Sequence, residues 1–246
     1  MIKLIAILLV NVLTAMRIVG VFCLLPIFYR HGGVAAAILS ILCYFTDCLD
    51  GIIARKAKVS TFFGSVFDGV ADKAFSVANL ILLFTITKYA IIPILCEIAI
   101  ITVQTIKYQR NENVQSSKAG KLKTWVIGLT VILLYFVIDI NKLTFLSTDF
   151  INYILSLDPA KLFGIMFIPL YIFEFLTLFL YLKFLGEKHP ALEIPKIDIK
   201  LKPVKCFKDR WDNFCTLWLN HEFYEKYKDS AGLKEIKKQI KKTQLS

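Results

Sequence analysis

Charge is scarce in this chain of 246 residues: 20% of positions are Asp, Glu, Lys or Arg, whereas 57% are hydrophobic and 13% aromatic. With a mean hydropathy of +0.61, the composition excludes a soluble globular domain and intrinsic disorder alike. Histidine is scarcer still, and His31, His189 and His221 stand too far apart for a metal-ligand spacing or a catalytic triad. The six cysteines (Cys23, Cys43, Cys48, Cys96, Cys206, Cys215) contain no CxxC pair and no regular framework. They read as reduced, mostly buried small hydrophobes, so neither a disulfide scaffold nor a zinc site is expected. No internal repeat is visible. The apolar N-terminus lacks a small-residue cleavage site and is soon interrupted by Arg17, so a removed signal peptide is not expected.

What the chain does have is long apolar runs. A spanning helix needs ~20 mainly apolar residues, and runs at about 12–29, 34–54, 61–87, 89–106, 124–141 and 162–185 predict six transmembrane helices in an all-α integral membrane protein. Residues 1–11 read as an interfacial helix or an extension of the first span. This gives a six-helix membrane domain over 1–186 and a basic, aromatic tail over 187–246. Loop charge sets the orientation. Arg55, Lys56 and Lys58 lie between spans two and three, and Lys107, Arg110, Lys118, Lys121 and Lys123 flank the loop between four and five. The opposite loops hold only Arg30, Lys88, Lys142 and Lys161. By the positive-inside rule both termini are expected in the cytoplasm.

The formal net charge is +11, and residues 183–246 contribute 15 Lys/Arg against 9 Asp/Glu. Beside apolar spans, such a tail points to anionic membrane lipids rather than nucleic acid. Pro190, Pro195 and Pro203 suit an extended connector. After them Phe207, Trp211, Phe214 and Trp218 fall at i, i+4, i+7 and i+11, an aromatic stripe expected to pack on the membrane domain, with burial among headgroups as the alternative. Gly232–Lys242 has the pattern of a basic amphipathic helix.

The chemistry concentrates in one stretch, where Asp47, Asp50, Asp68 and Asp72 lie at or near the ends of two apolar helices. An ionised Asp at the bilayer centre costs ~2.5–3.5 kcal/mol on insertion scales, so four demand a counter-charge or a wet cavity. Spacings of three and four put each pair on one helical face. The segment Arg55–Thr61 can reverse the chain, with Ser60 or Thr61 as the next N-cap, and an antiparallel pair then gathers all four carboxylates near the cytoplasmic side. Hard oxygen ligands in that number suit Mg²⁺ or Mn²⁺, as two ions if all are used, and such ions imply a phosphate-containing substrate. Gly51, Ala54 and Gly64 leave room for close approach, and Arg55 offers a planar cation. The alternative is plain helix packing, with the acids paired to Arg55 and Lys73.

From Asp47 to Asp72 the order D-x2-D-G-x2-A-R-x8-G-x3-D-x3-D resembles the signature of the CDP-alcohol phosphotransferases, with eight fixed identities over 26 residues and no departure. The resemblance implies a six-helix membrane fold, usually homodimeric, that moves a phosphatidyl group from a CDP-linked donor to an alcohol and releases CMP. It further implies that Asp47, Asp50, Asp68 and Asp72 ligate metal, that Asp72 also deprotonates the acceptor hydroxyl, and that Gly51, Ala54 and Gly64 admit the CDP moiety.

Asn11, Thr14, Arg17 and Ile18 are similar to the N-x2-T-x2-R-I start of the phosphatidylglycerophosphate and cardiolipin synthase branch, as is Ala71-Asp72-Lys73. Gly120-Lys121-Leu122-Lys123-Thr124 resembles the G-K-x-K-T element of the bacterial phosphatidylglycerophosphate synthases. At a helix entrance, Lys121 and Lys123 suit an anionic headgroup or phosphate, with positive-inside anchoring as the plainer reading. The implied reaction joins CDP-diacylglycerol to glycerol 3-phosphate. Departures from that branch are Cys96 and Gln104, where arginines are usual, and Gly69, where proline is usual. They keep open another acceptor, such as phosphatidylglycerol in a cardiolipin synthase-like reaction, and a non-catalytic membrane member.

Overall fold

A computed structural model of the protein describes residues 2–109, 118–144, 146–183 and 206–227. Among these residues there is no strand. The long helices are α1 (Ile2–His31), α2 (Gly33–Lys56), α3 (Phe62–Ile86), α4 (Ile91–Gln109) and α5 (Lys118–Ile138). They are followed by a short α6 (Thr148–Ser156), a long α7 (Pro159–Lys183), and then α8 (Phe207–Phe214), a π turn (Cys215–Leu219) and α9 (His221–Tyr227). The protein is an all-α integral membrane protein. α1, α2, α3, α4 and α7 carry apolar stretches long enough to cross a bilayer, while the apolar stretch of α5, Leu122–Ile138, is shorter. At 1.5 Å per residue it reaches about 25 Å, close to the ~30 Å hydrocarbon thickness.

Residues 2–11 extend the first span as one continuous helix of 30 residues. The fifth expected span begins earlier than read, at Lys118, because the basic residues there join the helix instead of preceding it. Helix α6 was not anticipated, being too short and too strongly two-faced to read as a span. The proline connector, Arg110 and the basic pattern at 232–242 lie outside the described residues, as does the side chain of Lys121.

Helix α1 packs on α2 and α3, α7 packs on α4 and α5, and α2 meets α5 to join the two groups. The seam is closed by Leu24, Ala36, Ala37, Leu80, Leu83, Ile127, Val131, Leu134, Phe167 and Leu170. Within it the buried Asn79 amide oxygen accepts from Ser40 Oγ (3.1 Å) and the Tyr135 hydroxyl (3.0 Å), tying α2, α3 and α5 with a satisfied polar node. Outward, large apolar side chains remain uncovered, with Phe22 74% exposed, as expected where lipid replaces water as the solvent.

Two reversals of the chain position everything else. At one end α1 passes to α2 through Gly32 (φ 90°), a left-handed conformation in which any Cβ would also strike the Asp139 carboxylate. Asp139 Oδ2 accepts the Gly33 N–H (2.6 Å) and pairs with Lys142 Nζ (2.8 Å), capping α2 from the end of its neighbour α5. At the other end, Lys58 takes φ 52° in the α2–α3 turn, and Thr61 Oγ1 accepts the Gly64 N–H at 3.0 Å. Thr61 is thus the N-cap of α3, one of the two residues expected in that role.

Candidate active site

The α2–α3 turn makes the two helices antiparallel neighbours, and α1 lies against both. Asp47 and Asp50 on α2 and Asp68 and Asp72 on α3 therefore converge, and α1 delivers Arg17 into their midst. Arg17 Nη1 pairs with Asp47 Oδ1 (2.9 Å) and with Asp72, while Nη2 pairs with Asp68 Oδ1 (2.8 Å) and with Asp50. The Arg17 side chain is 1% exposed. Asp50 is also buried and accepts from the Thr14 hydroxyl (3.1 Å); Asp47, Asp68 and Asp72 stay half-open. The expected alternative, in which Arg55 and Lys73 neutralise the acids, is corrected here. Lys73 Nζ donates to Gln104 Oε1, and Arg55 lines a neighbouring cavity, because α1 reaches the acids first.

One guanidinium cannot balance four carboxylates. Asp47, Asp50 and Asp68 each place an oxygen within 4.8 Å of the others, a spacing and a donor chemistry that fit a hard divalent cation. Asp72 stands outside that triad but is joined to it through Arg17. Beside the carboxylates opens a cavity of about 240 Å³. Its walls include Asn11 and Thr14 from α1, Gly51, Ala54 and Arg55 from α2, and Gly64 from α3. The small signature residues thus sit where the wall must stay thin. A Cβ on Gly64 would lie 3.1 Å from the Thr61 hydroxyl, against the cap that starts α3.

A second polar cluster is built from α4, α5 and α7. Lys123 Nζ pairs with Glu97 Oε1 (2.5 Å) and lies 3.6 Å from Glu174 Oε2, all three being buried. Lys123 is not among the described residues lining the cavity.

A profile of the family described as CDP-alcohol phosphatidyltransferase matches residues 7–157, more than half of the chain and all four aspartates. The chain belongs to the CDP-alcohol phosphatidyltransferase family. Its relatives include a CDP-diacylglycerol–glycerol-3-phosphate 3-phosphatidyltransferase of Wigglesworthia glossinidia brevipalpis, 34% identical over 48% of this chain and 71% of the relative. The protein of the same name from Bacillus subtilis is 36% identical over 41% of this chain and 55% of its own length. A CMP-forming cardiolipin synthase of Oryza sativa is 42% identical, over 30% of this chain and 24% of the relative.

For a CDP-alcohol phosphatidyltransferase the sequence reading had named the acids and the small residues, and the structure brings Asp47, Asp50, Gly51, Ala54, Arg55, Gly64, Asp68 and Asp72 to one place. It had not made Arg17 part of the site. The signal was available: a lone arginine in the middle of an apolar span needs a partner, and the nearest acids are on the next two spans. Glu174 carried the same signal in α7. Tyr224, which completes the cavity from the tail, carried none.

Proposed function

We propose that this CDP-alcohol phosphatidyltransferase transfers the phosphatidyl group of CDP-diacylglycerol to glycerol 3-phosphate, giving phosphatidylglycerophosphate and CMP. The observation that carries the reading is the convergence of four signature carboxylates on one cation, with Asp50 and Asp68 lining a cavity walled by the signature's small residues. The names of the Wigglesworthia and Bacillus relatives support the choice of substrates.

Each residue then has work that its position allows. Gly51, Ala54 and Gly64 leave space for the cytidine diphosphate, and Arg55, on the same wall, faces its phosphates. Asp72 takes the proton of the acceptor hydroxyl as the hydroxyl oxygen bonds to the phosphorus that bears the diacylglycerol. The bond from that phosphorus to the bridging pyrophosphate oxygen breaks, and CMP leaves with the electron pair. Arg17 holds the Asp72 carboxylate in register with the other three. Asp47, Asp50, Asp68 and Asp72 would hold Mg²⁺ or Mn²⁺, as two ions on this reading, and such ions neutralise the pyrophosphate and the departing CMP. Lys121 and Lys123, at the start of α5, are assigned to the acceptor's phosphate, with Glu97 holding Lys123 in place. The catalytic unit is residues 1–186 with six spans, carried as a homodimer in the cell membrane. Its site and both termini face the cytoplasm, and 187–246 forms the cytoplasmic tail.

A second reading keeps the chemistry and changes the acceptor to phosphatidylglycerol. It is favoured by Cys96 and Gln104 in place of arginines and by the match to the rice cardiolipin synthase. The test is CMP release from CDP-diacylglycerol with Mn²⁺ or Mg²⁺. Release that requires glycerol 3-phosphate and vanishes in Asp72→Asn is expected; release that requires phosphatidylglycerol instead moves the protein to the second reading.

A further inference from the structure

The tail does more than follow the membrane domain. Among the described residues, fifteen line the cavity beside the aspartates; fourteen come from α1, α2, α3 and the α2–α3 turn, and the fifteenth is Tyr224 of α9. It is also the sole aromatic residue among the described residues on that wall. We propose that the segment 206–227 forms the outer wall of the nucleotide pocket and that the Tyr224 ring is the surface on which the cytosine of the donor stacks. This inference rests on the CDP-linked donor proposed above.

The segment is fastened at the rim of the cavity, not loosely draped over it. His221 Nδ1 meets the Ser60 carbonyl oxygen at 2.9 Å, in the α2–α3 turn itself. Two residues on, Phe223 is 2% exposed, and its ring lies 5.8 Å from that of Phe62. Tyr224 meets the same Phe62 edge-on at 5.1 Å, which fixes the ring's position by contact with the first turn of α3. Further back, Leu217 is buried, and Phe214 packs edge-on against Phe63 at 6.2 Å. These contacts all fall within four residues of the α3 N-cap, so the ring is carried by the element that also carries Gly64 and Asp68.

The chemistry of the walls then divides the donor. Carboxylates, hydroxyls and Arg55 are matched to a pyrophosphate and its counter-ions, and none of them offers a flat apolar surface. A pyrimidine has two such faces, and stacking on an aromatic side chain is the usual way a protein holds one. Tyr224 is half-buried, T-shaped to Phe62, and lines the cavity. It is a positioning residue for the donor and takes no part in proton transfer.

The experiment uses the full chain in detergent with Mn²⁺, titrating soluble CDP by calorimetry and following CMP release from CDP-diacylglycerol. The variants are Tyr224→Ala, Tyr224→Phe and Phe207→Ala, Phe207 being 80% exposed on the same segment. Tyr224→Ala is expected to weaken CDP binding about tenfold and to raise KM for the donor equally. The acceptor KM stays unchanged and kcat stays within about twofold. Tyr224→Phe and Phe207→Ala are expected to match the parent. Unchanged CDP affinity in Tyr224→Ala overturns the proposal, as does an equal loss in Tyr224→Phe or a parallel change in both KM values. A parent protein that binds CDP yet releases no CMP with any alcohol overturns the proposed activity and leaves the stacking contact standing; one that does not bind CDP overturns both.

Discussion

Two clusters of buried charge share the interior, and each is built from one cation and the carboxylates of neighbouring helices. Around Arg17, four aspartates gather, three of them half-open, next to a cavity. Around Lys123, two glutamates gather, both buried. The residue types hardly differ; the balance and the access do. An excess of reachable negative charge is costly in the absence of a ligand, whereas a closed cluster with one carboxylate beyond its cation locks helices together. The first arrangement is what a site for a hard cation requires, and the second is what fixes α4, α5 and α7 beside it.

The comparison is broken most severely by Asp72→Asn. CMP release should fall about 10²- to 10⁴-fold, the range for losing a general base, while thermal unfolding in detergent shows a midpoint no lower than the parent's. Arg17→Met goes the other way and leaves four acids with no internal cation. Unfolding should become easier by about 3–5 kcal/mol, and added Mn²⁺ should recover part of the loss, because a ligand of the native state stabilises it by mass action.

Lys123→Met should cost about 3 kcal/mol, with no recovery on adding Mn²⁺ and most of the loss restored by the double variant with Glu97→Gln. Its KM for glycerol 3-phosphate should rise, as the assignment of the α5 entrance to the acceptor's phosphate requires. The smallest effect lies at the opposite end of the bundle. Burial pushes the Asp139 carboxyl up, but Lys142 and the Gly33 N–H outweigh it and hold its pKa below the usual carboxylate value. The stability this contributes is complete above about pH 4 and is lost as pH falls through the lower folded value. Asp139→Asn should therefore cost about 1 kcal/mol at neutral pH, and unfolding curves of parent and variant should merge as the solution is acidified.

Much of this was readable because it is local. The aspartate pairs are three and four residues apart, and Thr61 caps α3 through a residue three positions on; helix geometry alone places such groups. Arg17 was harder, since its partners lie on two other spans and only packing decides that α1, not Arg55 or Lys73, supplies the cation. Lys123 read as an exposed helix entrance because its partners sit on α4 and α7, where nothing in the spacing near residue 123 could reveal them. The aromatic stripe of the tail was expected to pack, and Phe214 does so on Phe63, yet Phe207 remains exposed. The true contact with the site comes from Tyr224, outside the stripe, brought there by the His221–Ser60 hydrogen bond across 161 residues of chain.

The order of these residues along the chain also governs how the protein can enter a bilayer. Arg17 comes first, in a span that would carry an unpaired guanidinium at a cost of ~2.5–3.5 kcal/mol, and the earliest acids follow 30 residues behind it on α2, with Asp50 33 positions after Arg17. Neither helix is comfortable in lipid by itself. Insertion of α1 and α2 as a hairpin, hinged at Gly32, lets the charges neutralise one another as they cross, so the pairing that shapes the site is also what makes the first two spans acceptable to the membrane.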